Sequence, residues 1–465
     1  MKMLLLFLVA CNINELGFAQ NSSDNQIDLL KATIKDAYVG YRDKVKGKEF
    51  DKLVNRVKKS NSKDTFALLS RLTAYFKDQH MVLFDYSFRK NKIDTQQCNR
   101  DSQMIRQYFA NKKIKDEYEG YWLSDFNYCV IALKKVSANP VTYYGYVVET
   151  KRRAIPGSCV LKMIKQKDGT YFTDYMEENF GYRIFLHAKF KNKHTLWVNS
   201  YGGIWKRLPN YQEGILKTIT PFSFKPSLIS LDDSTVLLKM NDFGGYNVKK
   251  FDSMVKANTK LIGQASTLII DIRNNTGGTI RNYYCLFPYV YTNPIVHCSG
   301  YQLYSNAYIA DYEADIKTFL AKGDSVRARE YQETVDSMKL KKGQYVYFKA
   351  DTLAKNLPIL TKPKNVAIII NNNCMSAAEL MLLNFKQSSK VTLFGEPSGG
   401  AIDYLDALTL PFYYSKYSLF IATTKREITV DNPSYDATGI KPDVEISDDI
   451  ADWIDFVKKY YNGHQ

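Results

Sequence analysis

Histidine and cysteine are scarce in this sequence of 465 residues, and neither occurs in the pattern of a metal site. No two histidines have HExxH spacing. No CxxC pair occurs, and the cysteine spacings are wide and irregular, so the sequence indicates neither a zinc site nor a disulfide framework. We therefore expect no metal and no cofactor. The five histidines lie at positions 80, 187, 194, 297 and 464, and the seven cysteines at 11, 98, 129, 159, 285, 298 and 374.

Long apolar runs are also missing, since nothing after the first residues reaches transmembrane length. The start, with Lys2, an apolar run over 3–10 and a small-residue end at Ala19, is typical of a secretory signal peptide covering residues 1–19. Cleavage after Ala19 would release the protein, whereas "LVAC" resembles a bacterial lipoprotein box with Cys11 lipidated. Both routes stay open. We expect an exported protein, periplasmic, extracellular or an outer-membrane lipoprotein, in contact with a membrane only if Cys11 is lipidated.

Acidic residues are outnumbered, which gives a formal net charge of +16. The excess lies in residues 1–230, with 38 Lys and Arg against 22 Asp and Glu, while residues 231–465 carry 26 of each. No long basic block and no nucleic-acid-binding motif accompanies it, so we expect no nucleic-acid partner. The sequence gives no indication of oligomeric state.

Changes in residue pattern divide the chain into segments. Residues 25–85 have helical periodicity, and residues 110–228 contain short runs rich in Tyr, Val, Ile and Trp, separated by turns, which favour an antiparallel β-rich domain. Strand and helix patterns alternate over residues 230–450, which predicts an α/β core. A charged stretch at 306–342 interrupts that core as a helical insertion, and residues 451–465 form a carboxyl-terminal tail.

The stretch "IIINNNCMSAAELMLLNF" (368–385) places Ser376 at the start of a helix just past a buried strand. Ser376 with Glu379 three residues later is a capping-box pattern, and this alone could explain the serine. Alternatively, the turn exposes the hydroxyl at the carboxyl end of a sheet, where α/β proteins have their sites. The helix N-terminus would then provide backbone N–H groups for an oxyanion.

Four motifs occur in order between residues 230 and 450: "DIRNNTGG", "NNNCMSAAEL", "FGEPSGGA" and "GIKPDVEI". Together they resemble the tail-specific (C-terminal processing) serine peptidase family, which includes the tricorn protease core. The resemblance implies a crotonase/ClpP-like ββα spiral and protein or peptide substrates. It also implies that Ser376 is the nucleophile, that Gly277 and Gly278 form the oxyanion turn, and that the N–H of Ala377 is the second donor.

The residue that would act as the base differs from that of one branch of the family. In the branch with a Ser-Lys dyad the lysine lies in a glycine-rich turn, but here Ala401 occupies its position and cannot take a proton. The tricorn-like branch uses a histidine from the amino-terminal segment, and "LTAYFKDQHMVLF" resembles its motif at His80. The same resemblance gives Asp436, three residues before Gly439, as the acid that orients His80, with Glu379 as the alternative. We predict that Ser376, His80 and Asp436 converge.

The PDZ domain of many processing peptidases has no counterpart, because the β-rich domain occupies its place in the chain. The resemblance implies an exported serine peptidase that uses a Ser-His-Asp triad and a backbone oxyanion hole. The alternative is a catalytically weak or inactive peptidase-like protein that serves as a binding or scaffold protein of the cell envelope.

Overall fold

The computed structural model describes residues 23–87, 95–111, 116–126, 128–177, 181–220, 222–244, 248–412, 416–436, 438–447 and 450–463. The predicted signal peptide at residues 1–19, with Cys11, lies outside the described residues. Within them, no helix is both long enough and apolar enough to cross a membrane.

Four helices open the described chain, and a short strand follows them. The third of these helices buries Phe50, Val54 and Val57, which are spaced to share one face. After the fourth helix the chain turns at Lys77, which has φ +49, and this turn places His80 just before the strand. The elements are α1 (Ser23–Ala37), α2 (Tyr41–Lys44), α3 (Glu49–Lys58), α4 (Thr65–Ala74) and β1 (Val82–Asp85).

The β-rich segment forms a closed antiparallel barrel of eight strands. Each strand pairs with the next along the chain, and the first pairs with the last, so the ring has no free edge. Large side chains such as Trp122, Tyr143 and Trp205 are buried in it. The elements are α5 (Thr95–Asn111), β2 (Gly120–Ser124), β3 (Cys129–Ala138), β4 (Val141–Thr150), β5 (Cys159–Lys165), β6 (Tyr171–Met176), β7 (Arg183–Asn192), β8 (Thr195–Trp197), α6 (Asn199–Gly202), β9 (Ile204–Leu208) and α7 (Ile215–Thr218).

The α/β core follows the barrel and contains the remaining elements. They are β10 (Ser227–Ser230), β11 (Thr235–Lys239), α8 (Val248–Ala257), α9 (Thr259–Gln264), β12 (Thr267–Asp271), a 3₁₀ helix (Ile280–Leu286), α10 (Phe287–Val290), β13 (Ile295–Val296), β14 (Gly300–Leu303), α11 (Asn306–Ala321), α12 (Ser325–Leu340), β15 (Tyr345–Phe348), β16 (Thr352–Ala354), β17 (Asn365–Ile370), α13 (Ala377–Phe385), β18 (Val391–Gly395), β19 (Tyr404–Phe412), β20 (Tyr417–Arg426), β21 (Val444–Glu445) and α14 (Trp453–Asn462).

A six-stranded sheet in the order β10-β11-β12-β17-β18-β21 is the centre of this core. All its pairs are parallel except β10 with β11. Strands β12 and β17 are apolar and buried, as expected of parallel strands covered on both faces. Because these two strands are parallel neighbours, the turns that follow them lie side by side.

A second sheet joins the amino-terminal segment to the core. Strand β1 pairs antiparallel with β20, and Val82 is opposite Phe420. This pairing holds the turn around His80 against residues of the core, more than three hundred positions away in sequence. Helices α11 and α12, in the range of the insertion, pack on the amino-terminal helices in one apolar cluster.

The carboxyl-terminal segment contains a helix. Helix α14 lies within residues 451–465 and packs Trp453 and Val457 against Phe394 of β18. Its apolar residues lie on one face, and burial of that face secures the helix to the sheet.

Candidate active site

Ser376 lies in the turn between β17 and α13, with φ +56 and ψ −121. A positive φ is uncommon for a residue with a Cβ, and such strained positions concentrate at functional sites. The backbone N–H of Ser376 donates to Oε2 of Glu379 at 3.1 Å. The capping interaction between these residues and the exposure of the serine to a cavity therefore occur together.

The Ser376 cavity, as we call it, has a volume of about 400 Å³. His80 lines the same cavity, although 296 positions separate the two residues in sequence. Its other walls are mostly apolar. The full set of lining residues is Gln79, His80, Tyr201, Thr276, Gly278, Ile280, Met375, Ser376, Ala377, Leu380, Ala401, Leu405, Asp406, Ala407 and Phe420.

The turn after β12 presses against the start of α13. A Cβ on Gly277 would lie 2.8 Å from the Cβ of Ser376 and 2.9 Å from the backbone N of Ala377, so only glycine permits this approach. The N–H of Gly277 is already used, because it donates to Oδ1 of Asn275 at 2.9 Å. Gly277 therefore provides the close approach within the predicted oxyanion turn, and its own N–H is not free to bind an oxyanion in this geometry.

The N–H groups of Gly278 and Ala377 remain available. Both residues line the Ser376 cavity, and neither N–H has a hydrogen-bond acceptor among the described residues. Ala377 is the first residue of α13, and the first N–H groups of a helix have no partner within it. Two backbone donors beside a serine hydroxyl suit a developing oxyanion.

His80 lies at the end of the turn that follows α4, with its ring 5.9 Å from that of Phe420. Its backbone N–H donates to Oδ1 of Asp78 at 2.8 Å. Burial lowers the pKa of His80 below its usual value, and Asp78, Asp406 and the backbone of Tyr404 oppose that shift. A neutral imidazole is the form that can accept a proton from serine.

Asp436 does not join His80 and Ser376. It accepts a hydrogen bond from Nζ of Lys44 at 3.1 Å and lines a separate cavity of about 560 Å³, which we call the Asp436 cavity. Burial, followed by the charge of Asp78, raises the pKa of Asp436. The predicted convergence of Ser376, His80 and Asp436 is therefore not observed, because Lys44 of α2 binds the carboxylate that was expected to orient His80.

Both carboxylate oxygens of Glu379, the alternative orienting acid, accept hydrogen bonds from groups other than His80. Its Oε1 accepts from the hydroxyl of Ser398 at 2.5 Å and the N–H of Gly400 at 2.9 Å. Its Oε2 accepts from the N–H groups of Ser376 and Ala401. Burial raises its pKa to about 7 against these four hydrogen bonds. Glu379 thus holds the turn at 398–401 against the start of α13, and none of these four hydrogen bonds goes to His80.

Part of the chain also matches a model of a known protein family. Residues 234–446 match the model of peptidase family S41. The matched segment, which is the core of this chain, is similar to that family of serine peptidases. The predicted resemblance is thereby confirmed, and the match leaves the helical segment and the barrel outside.

Several solved structures are similar over most of the chain. Mature CPAF is 10% identical over 91% of this chain and 92% of its own, with a TM-score of 0.47. A putative S41 protease from Bacteroides fragilis is 13% identical over 96% and 99%, with a TM-score of 0.42. The photosystem II D1 C-terminal processing protease is 10% identical over 93% and 95%, with a TM-score of 0.39. A search of curated proteins gave no match.

Ala401 lies at the position where the resemblance gives the Ser-Lys branch its base. Ala401 lines the Ser376 cavity, and among the described residues no lysine does so. Lys386 is paired with Asp443 at 2.8 Å, and Lys390 donates to the carbonyl of Leu360. His80 is the only histidine among the described lining residues.

Three residues beside the site had no role in the sequence-based prediction. Asp406 of β19 lines the Ser376 cavity and has φ +50. Tyr201 of α6 brings a side chain of the barrel into the same cavity. Asp78 lies in the "DQH" motif beside His80, and its carboxyl next to a candidate base was the one available signal. Nothing in the sequence relates Tyr201 or Asp406 to Ser376.

Proposed function

We propose that this chain is an exported serine peptidase that hydrolyses peptide bonds of protein or peptide substrates. Ser376 is the nucleophile, His80 is the general base, and the N–H groups of Gly278 and Ala377 bind the oxyanion. The observation that carries the proposal is the Ser376 cavity, which brings all four residues together in a family S41 core.

The chemistry follows from these positions. The imidazole of His80 takes the hydroxyl proton of Ser376 as its oxygen attacks the substrate carbonyl carbon. The carbonyl oxygen becomes negatively charged and binds the two N–H groups. The protonated imidazole then gives its proton to the leaving amine, and water hydrolyses the acyl ester by the same steps in reverse roles. Each step uses a side chain or a backbone group of this chain.

The export route and the detailed core architecture belong to the same proposal. The signal-peptide pattern supports secretion or lipidation at Cys11, and the mass of the mature protein distinguishes a start at Gln20 from a lipidated Cys11. An unprocessed Met1 would contradict export. We further propose that the core is a crotonase/ClpP-like spiral, which the alternation of parallel strands and helices supports.

One observation favours the binding or scaffold protein as a second candidate. Among the described residues, Nδ1 of His80 has no hydrogen-bond partner. A histidine held loosely is a weaker base.

Hydrolysis of an unfolded protein distinguishes the two candidates. The wild type should release peptides with new amino termini, whereas Ser376→Ala and His80→Ala should each lose activity by several orders of magnitude. Their combination should add little, because the two residues act as a unit. A folded, mature wild-type protein without activity on any unfolded protein would favour the binding protein.

A further inference from the structure

His80 lacks the orienting acid that the resemblance assigns, yet two carboxylates act on its ring. These are Asp78 and Asp406, and both raise the pKa of His80 against its burial. Lys44, the other charged group that acts on His80, lowers it. The two acids differ in surroundings, and that difference indicates which of them can hold the ring.

Asp78 is buried and fixed at both oxygens. Its side chain is 2% exposed, and Oδ1 accepts the backbone N–H of His80 at 2.8 Å. Its Oδ2 accepts the hydroxyl of Tyr38 at 2.5 Å, and Tyr38 is itself fully buried just after α1. A carboxylate held in this way has little freedom to turn away from the histidine, and its charge acts through a medium of low dielectric constant.

The ring of His80 lies close to this carboxylate. Nδ1 of His80 is buried, has no partner among the described residues, and lies 3.9 Å from Oδ1 of Asp78. That separation is about 1 Å longer than a charge-assisted hydrogen bond. Catalytic hydrogen bonds are often long before substrate binds.

Asp406 differs from Asp78 in its exposure to water. Its residue is exposed, so water screens its charge. Asp436 is a poorer candidate still, because Lys44 binds it in the other cavity. The charge of Asp78 also raises the pKa of Asp436, Tyr38, Tyr201 and Tyr404, so all four groups lie near its carboxylate.

We propose that Asp78, fixed by Tyr38, is the positioning residue of His80 and takes the part that the family resemblance gives to Asp436. Asp78 holds the ring towards Ser376 and stabilises the imidazolium that forms when the serine proton is taken. This inference rests on the proposed function, because it concerns the base of that reaction.

The rate at which a fluorophosphonate labels Ser376 tests this inference without a known substrate. The rate is measured against pH for the wild type, Asp78→Asn, Tyr38→Phe and Asp406→Asn, and thermal unfolding checks that each variant folds. Asp78→Asn and Asp406→Asn make the same chemical change at two carboxylates that act on the same ring, so each is the matched control of the other. Asparagine can keep the hydrogen bond to the His80 N–H and donate to the oxygen of Tyr38.

The variants should differ in the plateau labelling rate and in the midpoint of the pH profile. Asp78→Asn should lower the plateau rate by about 10²-fold or more, and Asp406→Asn by less than about threefold. Loss of a negative charge disfavours the imidazolium, so Asp78→Asn should also move the midpoint of the pH profile to lower pH. Tyr38→Phe should lower the rate by about tenfold or less, since Asp78 keeps its charge but loses one anchor.

The possible outcomes distinguish a failure of the proposed function from a failure of the role proposed for Asp78. An unlabelled wild type would remove the proposed function. A labelled wild type with unchanged plateau and midpoint in Asp78→Asn would leave the function intact and overturn the role of Asp78. A lower plateau with an unmoved midpoint would also overturn it, because that result indicates a structural defect. If Asp78→Asn fails to fold, an unchanged rate in Tyr38→Phe together with a large loss in Asp406→Asn would overturn it as well.

Discussion

The Ser376 cavity and the Asp436 cavity meet at Gln79, which lines both of them. In the first, a serine hydroxyl, an imidazole and two backbone N–H groups face the space. In the second, the carboxylates of Asp436 and Asp403 are bonded to Lys44 and Arg426. The two backbone N–H groups are thus open to the first cavity, while the two carboxylates of the second are held in ion pairs.

Two glycine-rich turns show the same difference. The turn ending at Gly278 leaves the N–H of that residue open to the Ser376 cavity. In the turn at 398–401, the N–H of Gly399 donates to the carbonyl of Cys374, and the next two N–H groups donate to Glu379. Both turns follow strands of one sheet and look alike in sequence, but one leaves an N–H open to the cavity and the other has its N–H groups bonded.

The largest effect should come from Gly277→Ala, which breaks the open turn. The new Cβ would lie 2.8 Å from both the carbonyl oxygen of Met375 and the Cβ of Ser376. Either the turn or the serine must move, so the rate of fluorophosphonate labelling should fall by about 10²-fold or more. Gly323→Ala is the matched control, because Gly323 also has a positive φ but has no atom within 4 Å of an added Cβ. Equal losses in both variants would contradict the account.

Glu379→Gln should have the next largest effect, because it breaks the supporting turn. An amide has one oxygen, so its NH₂ group would face two N–H or O–H donors that the carboxylate now accepts. Each donor left unsatisfied costs about 1–3 kcal/mol, and the melting temperature should fall together with the labelling rate. The control is Glu149→Gln in the barrel, whose carboxylate also accepts backbone N–H groups, from Gly214 and Leu216. This control should leave the labelling rate unchanged.

Tyr201→Ala should have a moderate effect on kcat/KM, because this barrel residue lines the Ser376 cavity. The ring packs edge-on against Phe84, with 5.3 Å between centroids, and forms one wall of the cavity. Its removal should change kcat/KM for peptides by about tenfold, in a way that depends on the substrate side chain. Tyr201→Phe keeps the wall and should stay close to the wild type. A uniform loss across a peptide library would argue against a role in substrate selection.

Asp436→Asn should have the smallest effect on activity. It tests whether a carboxylate of the Asp436 cavity contributes to the reaction in the Ser376 cavity. The substitution removes the negative charge beside Nζ of Lys44, in a pair whose two side chains are each 19% exposed. Activity should stay within about threefold of the wild type, because a group that does not act on the reacting atoms leaves kcat nearly unchanged. A loss as large as that of Asp78→Asn would restore Asp436 as the orienting acid.

The sequence was informative wherever the signal is local. The strand, turn and helix around Ser376 follow from a short apolar run, small residues and a capping pattern, and the order of four motifs predicted the family that the match confirms. The need for glycine at 277 was also visible. Which N–H remains open was not, since it depends on the side chain of Asn275 two residues earlier.

The remaining features depend on contacts that are distant in sequence. The choice between Asp78 and Asp436 as partner of His80 depends on where Lys44 lies, and no local pattern relates α2 to the turn at 436. Closure of the barrel requires β2 to pair with β9, some eighty residues later. The entry of Tyr201 into the cavity follows from that closure, so it could not be predicted from residue spacing.

The central claim is that Ser376 and His80 act together, and a peptide chloromethyl ketone tests it most directly. Such a reagent forms a hemiketal with an activated serine and then alkylates the base beside it, so a single adduct reports both residues. The account predicts that mass spectrometry of the digested protein finds the reagent on His80 and Ser376 in the wild type, and finds no alkylation of His80 in Ser376→Ala. Alkylation of another residue as the base, with His80 unmodified, would contradict it.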